Sequence, residues 1–151
     1  MLQRDYREML VALSDQNAEF LIIGAYALAA HGLVRATEDF DIWVRPTSEN
    51  ATRVWAALKT YGAPLFDLKV DDLAQPGIVF QIGLRPLRID LLTGISGIDD
   101  FELAWSSGRE VDLDGLIVRV LSRNDLIVNK RASGRSKDLR DVEWLEEESD
   151  D

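Results

Sequence analysis

Asp39 and Asp41 stand two residues apart in RATEDFDIWV (35–44), directly ahead of the large apolar side chains Ile42, Trp43 and Val44. On a strand, alternate side chains share a face, so the two carboxylates point together while Phe40 and Ile42 point the other way. At an effective dielectric near 20, two like charges ~5 Å apart repel by roughly 3 kcal/mol. A third carboxylate, Asp90, lies in RIDLL (88–92), flanked by Ile89 and Leu91. Such an aspartate is costly on an apolar strand unless it meets a cation or lies at the end of the sheet. Asp39, Asp41 and Asp90 together make an oxygen-rich set with no thiolate or imidazole, the donor type that Mg²⁺ prefers. A cation would remove the repulsion; without one, a carboxyl of the set should titrate above its ordinary range.

Other uses of an Asp-x-Asp pair fit less well. A calcium-binding EF-hand loop needs glycine at its sixth place and an acid at its twelfth, where this chain has Val44 and Asn50. A phosphatase with an aspartyl nucleophile carries its pair just after an apolar strand, but here Arg35-Ala36-Thr37-Glu38 precede it. Sugar-nucleotide transferases stay open, although the chain is short for one.

The elements that must hold these carboxylates can be read from periodicity. Tyr6, Met9, Leu10 and Leu13 give a helix over 5–16. EFLIIG (19–24) is a buried strand stopped by glycine, and AYALAAHG (25–32) a small-residue helix ending at Gly32. The acidic strand covers about 39–45 and stops at Pro46; a helix then runs from its caps at Thr47 and Ser48 to Gly62 (47–62). Strands at 78–83 and 87–93 join around Arg85-Pro86. A short helix follows at 99–107 and a strand at 116–121, and from Ser122 the pattern turns helical. There, Leu126 and Ile127 mark one helix and the spacing of Leu139, Val142 and Leu145 a second. This order predicts a mixed α/β domain with a single sheet covered by helices. Its expected limits are one domain over 1–151, with a core at about 18–121, C-terminal helices at about 122–148 and an acidic tail at 146–151.

Composition bounds the function. With 46% hydrophobic and 29% charged residues, the chain has ordinary globular composition. Having no cysteine, it builds neither disulfides nor thiolate metal sites. No signal-peptide core opens it, and its longest uncharged apolar run, Phe20 to Ala30, is too short to span a membrane. The expected setting is the cytoplasm. A net charge of −10 argues against broad nonspecific nucleic-acid binding, although Arg123, Lys130, Arg131, Arg135, Lys137 and Arg140 gather in one segment.

Upstream of the carboxylates, Ile23-Gly24-Ala25 closes a strand and opens a helix, where backbone N–H groups can meet phosphate. Thirteen residues lie between Ala25 and Asp39. This arrangement, with Asp39-Phe40-Asp41-Ile42, resembles the signature of the DNA polymerase β superfamily of nucleotidyltransferases. GAYALAAHGLVRATEDFDI and DLIVNKRASGRSKDLRDVEWL (125–145) are similar to the bacterial branch related to abortive-infection and toxin–antitoxin nucleotidyltransferases. In the second segment Lys130, Arg135, Lys137, Asp138 and Asp141 fall on matching positions. Ala25 departs from the pattern, standing where the family has glycine or serine, so no hydroxyl is offered there.

The resemblance implies the polymerase β-like fold with a helical C-terminus. It also implies Mg²⁺-dependent transfer of a nucleoside monophosphate from a nucleoside triphosphate to a hydroxyl acceptor, an RNA 3′ end or a protein side chain. Asp39, Asp41 and Asp90 would be catalytic and hold two Mg²⁺ ions, with Mn²⁺ as the alternative, and Asp90 would help deprotonate the attacking hydroxyl. Gly24, Ala25, Arg35, Thr37, Lys130 and Arg135 would contact the nucleotide. The setting implied is a toxin–antitoxin or phage-defence system with a cognate antitoxin as partner. The alternative is a catalytically inactive nucleotide-binding or protein-interaction module of the same fold.

Plain structural roles compete for the same residues. Asp39 can instead serve as a cap or pair with Arg35, and Asp90 can pair with Arg88 or Lys130. Arg35 and Thr37 suit fixing the loop before the strand, and His31 a helix end bonded to backbone. Trp43, Trp55, Trp105 and Trp144 read as core.

Overall fold

The computed structural model describes residues 2–148; the last part of the acidic tail, 149–151, lies outside the described residues. Helix α1 (Arg4–Asp15) buries Tyr6, Met9, Leu10 and Leu13, the side chains that recur at helical spacing. Strand β1 (Phe20–Ile23) is buried at all four positions and runs directly into α2 (Gly24–Ala30). Strand β2 (Asp39–Val44) follows, then α3 (Ser48–Tyr61), capped by the Thr47 hydroxyl and ended by a left-handed Gly62. A 3-10 turn (Val70–Ala74) leads to strands β3 (Val79–Ile82) and β4 (Arg88–Leu92). Helix α4 (Phe101–Ser107), strands β5 (Arg109–Leu113) and β6 (Leu116–Val120), and helices α5 (Arg123–Ser133) and α6 (Ser136–Glu147) are the remaining elements of the described residues.

The six strands form one mixed sheet in the order β3-β4-β2-β1-β6-β5. Central β2 runs antiparallel to β1 and parallel to β4. Phe40 of β2 stacks on Tyr6 at 4.8 Å between ring centroids and meets Tyr26 edge-on at 4.8 Å, so this face is sealed by α1 and α2. On the opposite face Trp43 packs edge-on against Phe101 of α4 at 4.9 Å. Aromatic contacts of this kind contribute beyond their buried area. The alternation therefore puts Asp39 and Asp41 on the Trp43 face, away from the aromatic cluster.

Three local readings are revised. Strand β5 was not expected, because Arg109, Glu110 and Asp112 break up its apolar pattern; it is a half-exposed edge strand paired only to β6. Its hairpin turn, Asp114-Gly115, has positive φ at both residues, as a tight hairpin turn requires. In α6 the buried stripe is Asp138, Asp141, Val142 and Leu145, while Leu139 is exposed. Of the tryptophans, Trp43 is fully buried, whereas Trp55, Trp105 and Trp144 are half-buried against the core.

Candidate active site

Parallel pairing of β2 with β4 places Asp39 opposite Arg88 and Asp41 opposite Asp90. Side chains in register on neighbouring strands share a face, so three carboxylates and one guanidinium form a four-residue square on the sheet. The square floors a cavity of about 340 Å³. All nine residues expected from the sequence line this cavity: Gly24, Ala25, Arg35, Thr37, Asp39, Asp41, Asp90, Lys130 and Arg135. Arg85, Arg88, Asp138 and Asp141 line it as well.

Gly24 has φ +67°, and a Cβ placed on it would lie 2.5 Å from Asp41 Oδ2. Only glycine lets the β1–α2 junction press this closely on the carboxylate while holding a left-handed backbone. At the other end of α2, His31 Nε2 lies 2.9 Å from the carbonyl of Leu121, and burial holds the imidazole below its ordinary value. That places His31 as a helix-end residue bonded to backbone.

The charges around the square are unequally matched. Asp39 contacts Arg85 Nε at 3.2 Å and Arg88 Nη2 at 3.2 Å, rather than Arg35. Arg88 also reaches Asp90, with Nε 3.0 Å from Oδ1 and Nη2 donating to Oδ2 at 3.3 Å. Asp41 has no such arginine contact, and its carboxyl is pushed up to about 7. Burial is the main cause, followed by the charges of Asp90 and Asp39, with Arg88 opposing.

The far wall comes from the C-terminal helices. Lys130 is buried, with Nζ 3.0 Å from Asp141 Oδ2 and 3.5 Å from Asp138 Oδ1. Arg35 donates to Asp141 Oδ1 at 2.5 Å, and Arg135 donates to Asp138 through Nε at 2.7 Å. Burial alone would raise the Asp138 carboxyl; the Arg135 hydrogen bond and the Lys130 charge instead hold it below its ordinary value. Thr37 exchanges hydrogen bonds with the backbone N–H and carbonyl of Asp39, which fixes the entry to β2. Thr37 and Arg35 thus have structural partners in addition to their place on the cavity wall.

The donor chemistry suits a hard divalent ion: carboxylate oxygens on one face, those of Asp41 outside the arginine salt bridges that hold Asp39 and Asp90, and the Gly24 backbone drawn in beside them. Among the described residues, no three potential ligands are gathered into a ready ion site in this arrangement. Arg85 and Arg88 hold Asp39 and Asp90 instead. The arginines escaped the sequence reading as partners of Asp39, because only the β2–β4 register reveals that Arg88 faces it. The period-2 spacing of Arg88 and Asp90 was the available signal.

Over residues 2–151 the chain matches the family described as "Nucleotidyl transferase of unknown function (DUF2204)", and it belongs to that family. Its fold is that of solved nucleotidyltransferases. The antibiotic-resistance factor ANT(2'')-Ia, in complex with adenylyl-2''-tobramycin, superimposes with a TM-score of 0.61 at 16% identity, covering 93% of this chain and 84% of that one. Its solution structure gives 0.59 at 16% identity over 93% and 80%. A putative nucleotidyltransferase from Thermotoga maritima, TM1012, gives 0.59 at 14% identity over 97% and 94%. No curated protein matches the sequence. No helix among the described residues is long and apolar enough to cross a membrane.

Proposed function

We propose that this chain is a single-domain nucleotidyltransferase, moving a nucleoside monophosphate from a nucleoside triphosphate to a hydroxyl acceptor. The observation that carries this reading is the convergence of Asp39, Asp41 and Asp90 on one sheet face, at the floor of a cavity with cationic walls. Family membership and shared fold support the reaction class. Asp39, Asp41 and Asp90 would hold Mg²⁺, or Mn²⁺ in its place. When bound, the ions would neutralise the triphosphate and stabilise the entering and leaving oxygens of an in-line displacement.

The chain's own residues do the remainder. The backbone of Gly24 and Ala25 lines the cavity beside Asp41 and would contact the phosphates. Lys130 and Arg135 add positive potential across the cavity, tempered by Asp138 and Asp141. Asp90 Oδ1, buried and 3.0 Å from Arg88 Nε without a hydrogen bond to it, would accept a proton from the attacking hydroxyl. RNA 3′ ends and protein side chains remain the leading acceptors. The tobramycin adduct of the fold relative adds small polyhydroxylated molecules to those worth assaying. A cytoplasmic toxin–antitoxin or phage-defence role, with a cognate antitoxin, rests on the sequence resemblance.

A second reading, an inactive nucleotide-binding or protein-interaction module, is favoured by Ala25, which offers no hydroxyl to a phosphate. Incubation with α-labelled nucleoside triphosphates, Mg²⁺ and each acceptor class separates the two. Label on an acceptor that disappears in Asp39→Ala is the expected result. Nucleotide binding without transfer to any acceptor overturns the enzyme in favour of the module.

A further inference from the structure

Arg88 is inserted among three carboxylates on a face where a divalent ion would have to sit. It lies two residues before Asp90 on β4 and directly across from Asp39 on β2, so its side chain shares their face. Its guanidinium bridges the pair, at 3.2 Å from Asp39 and 3.0 Å from Asp90. The bridge is close but only half aligned: Nη2 donates to Asp90 Oδ2 at 3.3 Å, whereas Nε and Oδ1, 3.0 Å apart, form no hydrogen bond. Arg88 Nε and Asp90 Oδ1 are both buried, yet neither has a hydrogen-bond partner. A guanidinium that fitted this site as a permanent structural pair would present two aligned N–H groups to a carboxylate.

We propose that Arg88 is a resident counter-ion of the carboxylate cluster, and that a divalent cation enters by displacing its guanidinium from Asp39 and Asp90. Arg88 then sets the cation affinity of the site. This deepens the nucleotidyl-transfer reading and rests on it. The charge balance supports the exchange: while no ion is bound, Arg88 is the positive charge shared by Asp39 and Asp90, and an entering cation would take its place. Arg85, exposed at the rim and 3.2 Å from Asp39, adds to that neutralisation from the solvent side. Once displaced, Arg88 still faces the cavity, where the anions left to pair with it are the phosphates of a nucleotide. Cation and nucleotide binding are thereby coupled through one side chain.

The test is Mn²⁺ affinity in the absence of nucleotide, measured by calorimetry or by electron paramagnetic resonance of the free ion, for the unaltered chain and Arg88→Gln. Removing a unit charge this close should tighten Mn²⁺ binding on the order of tenfold or more. Equal or weaker binding by a folded Arg88→Gln overturns the displacement while leaving the metal reading intact. Absence of Mn²⁺ binding in both proteins overturns the cation site itself, and the displacement with it. Should Arg88→Gln not fold, the Nε–H resonance of Arg88 in the unaltered chain, assigned by its loss in Arg88→Lys, gives the answer. It should move and exchange faster with water as Mg²⁺ binds; a resonance that stays fixed while calorimetry shows Mg²⁺ binding overturns the proposal.

Discussion

Asp41 and Asp90 face each other across the parallel β2–β4 pair, two acids in register on one side of a sheet. Together with burial, this neighbour pushes the Asp41 carboxyl from the ordinary 3.8 to about 7. Between those values the folded chain holds a proton that the unfolded chain has released. Linkage then makes stability fall as pH rises from about 4 to about 7, and the loss is complete above that window. Asp41→Asn removes this titration. In chelator, its melting temperature should match that of the unaltered chain near pH 4 and exceed it increasingly up to pH 7, with a constant gain beyond. A difference that does not vary with pH would show that Asp41 is not the titrating group.

Gly24→Ala tests the closest approach in the site. The new methyl group would meet Asp41 Oδ2 at 2.5 Å, on a backbone with φ +67°. The left-handed backbone alone costs roughly 1–2 kcal/mol for a residue with a side chain. The clash adds to it, so a total loss of at least about 2 kcal/mol in denaturant titrations is expected. Asp41→Ala in the same chain should restore the part due to the clash and leave the part due to φ. Such non-additivity is the signature of a direct contact; additive effects would mean that the two residues do not touch.

Much of this site was legible because strands alternate with period two. Asp39 and Asp41 had to share a face, and the apolar residues around Asp90 marked it as a third acid on a core strand. What a single strand cannot show is its neighbour. That Arg88 rather than Arg35 faces Asp39 follows from the parallel β2–β4 register, a long-range property of the topology. The burial of Asp138 and Asp141, which the family resemblance marks only as matching positions, was hidden for another reason. Helical periodicity is read from apolar residues, and these two occupy buried positions as acids because Lys130, Arg35 and Arg135 neutralise them. The β5 edge strand was missed because half its surface faces water, so its charged residues mask the pattern, although Asp114-Gly115 marks the hairpin.

Asp90→Asn is the sharpest probe of chemistry. The amide keeps the shape of the side chain and an oxygen for Arg88, but it cannot accept a proton or ligate an ion as a carboxylate does. Transfer of label should drop by about 10²-fold or more, the usual worth of a positioned base. Chelation of divalent ions should abolish transfer in the unaltered chain, and added Mg²⁺ should restore it. Circular dichroism should show the variant folded; a folded Asp90→Asn with full activity would remove Asp90 from the mechanism.

Lys130 and Arg135 both border the cavity, but their surroundings predict different failures. Lys130 is buried between Asp138 and Asp141, so Lys130→Met leaves these buried acids with only Arg135 and Arg35 as partners. An uncompensated buried charge costs about 3–5 kcal/mol, and with both arginines in place the loss should fall at the lower end of that range. The Arg135 side chain is 66% exposed and, in its absence, buried Asp138 keeps Lys130 at 3.5 Å, so Arg135→Met should cost less stability than Lys130→Met. Its main deficit should appear in nucleotide binding. If Arg135 lends charge to the triphosphate, the variant binds a non-hydrolysable triphosphate several-fold more weakly, and the difference shrinks as salt screens the site. Unchanged nucleotide affinity at low salt would confine Arg135 to holding the start of α6 through Asp138.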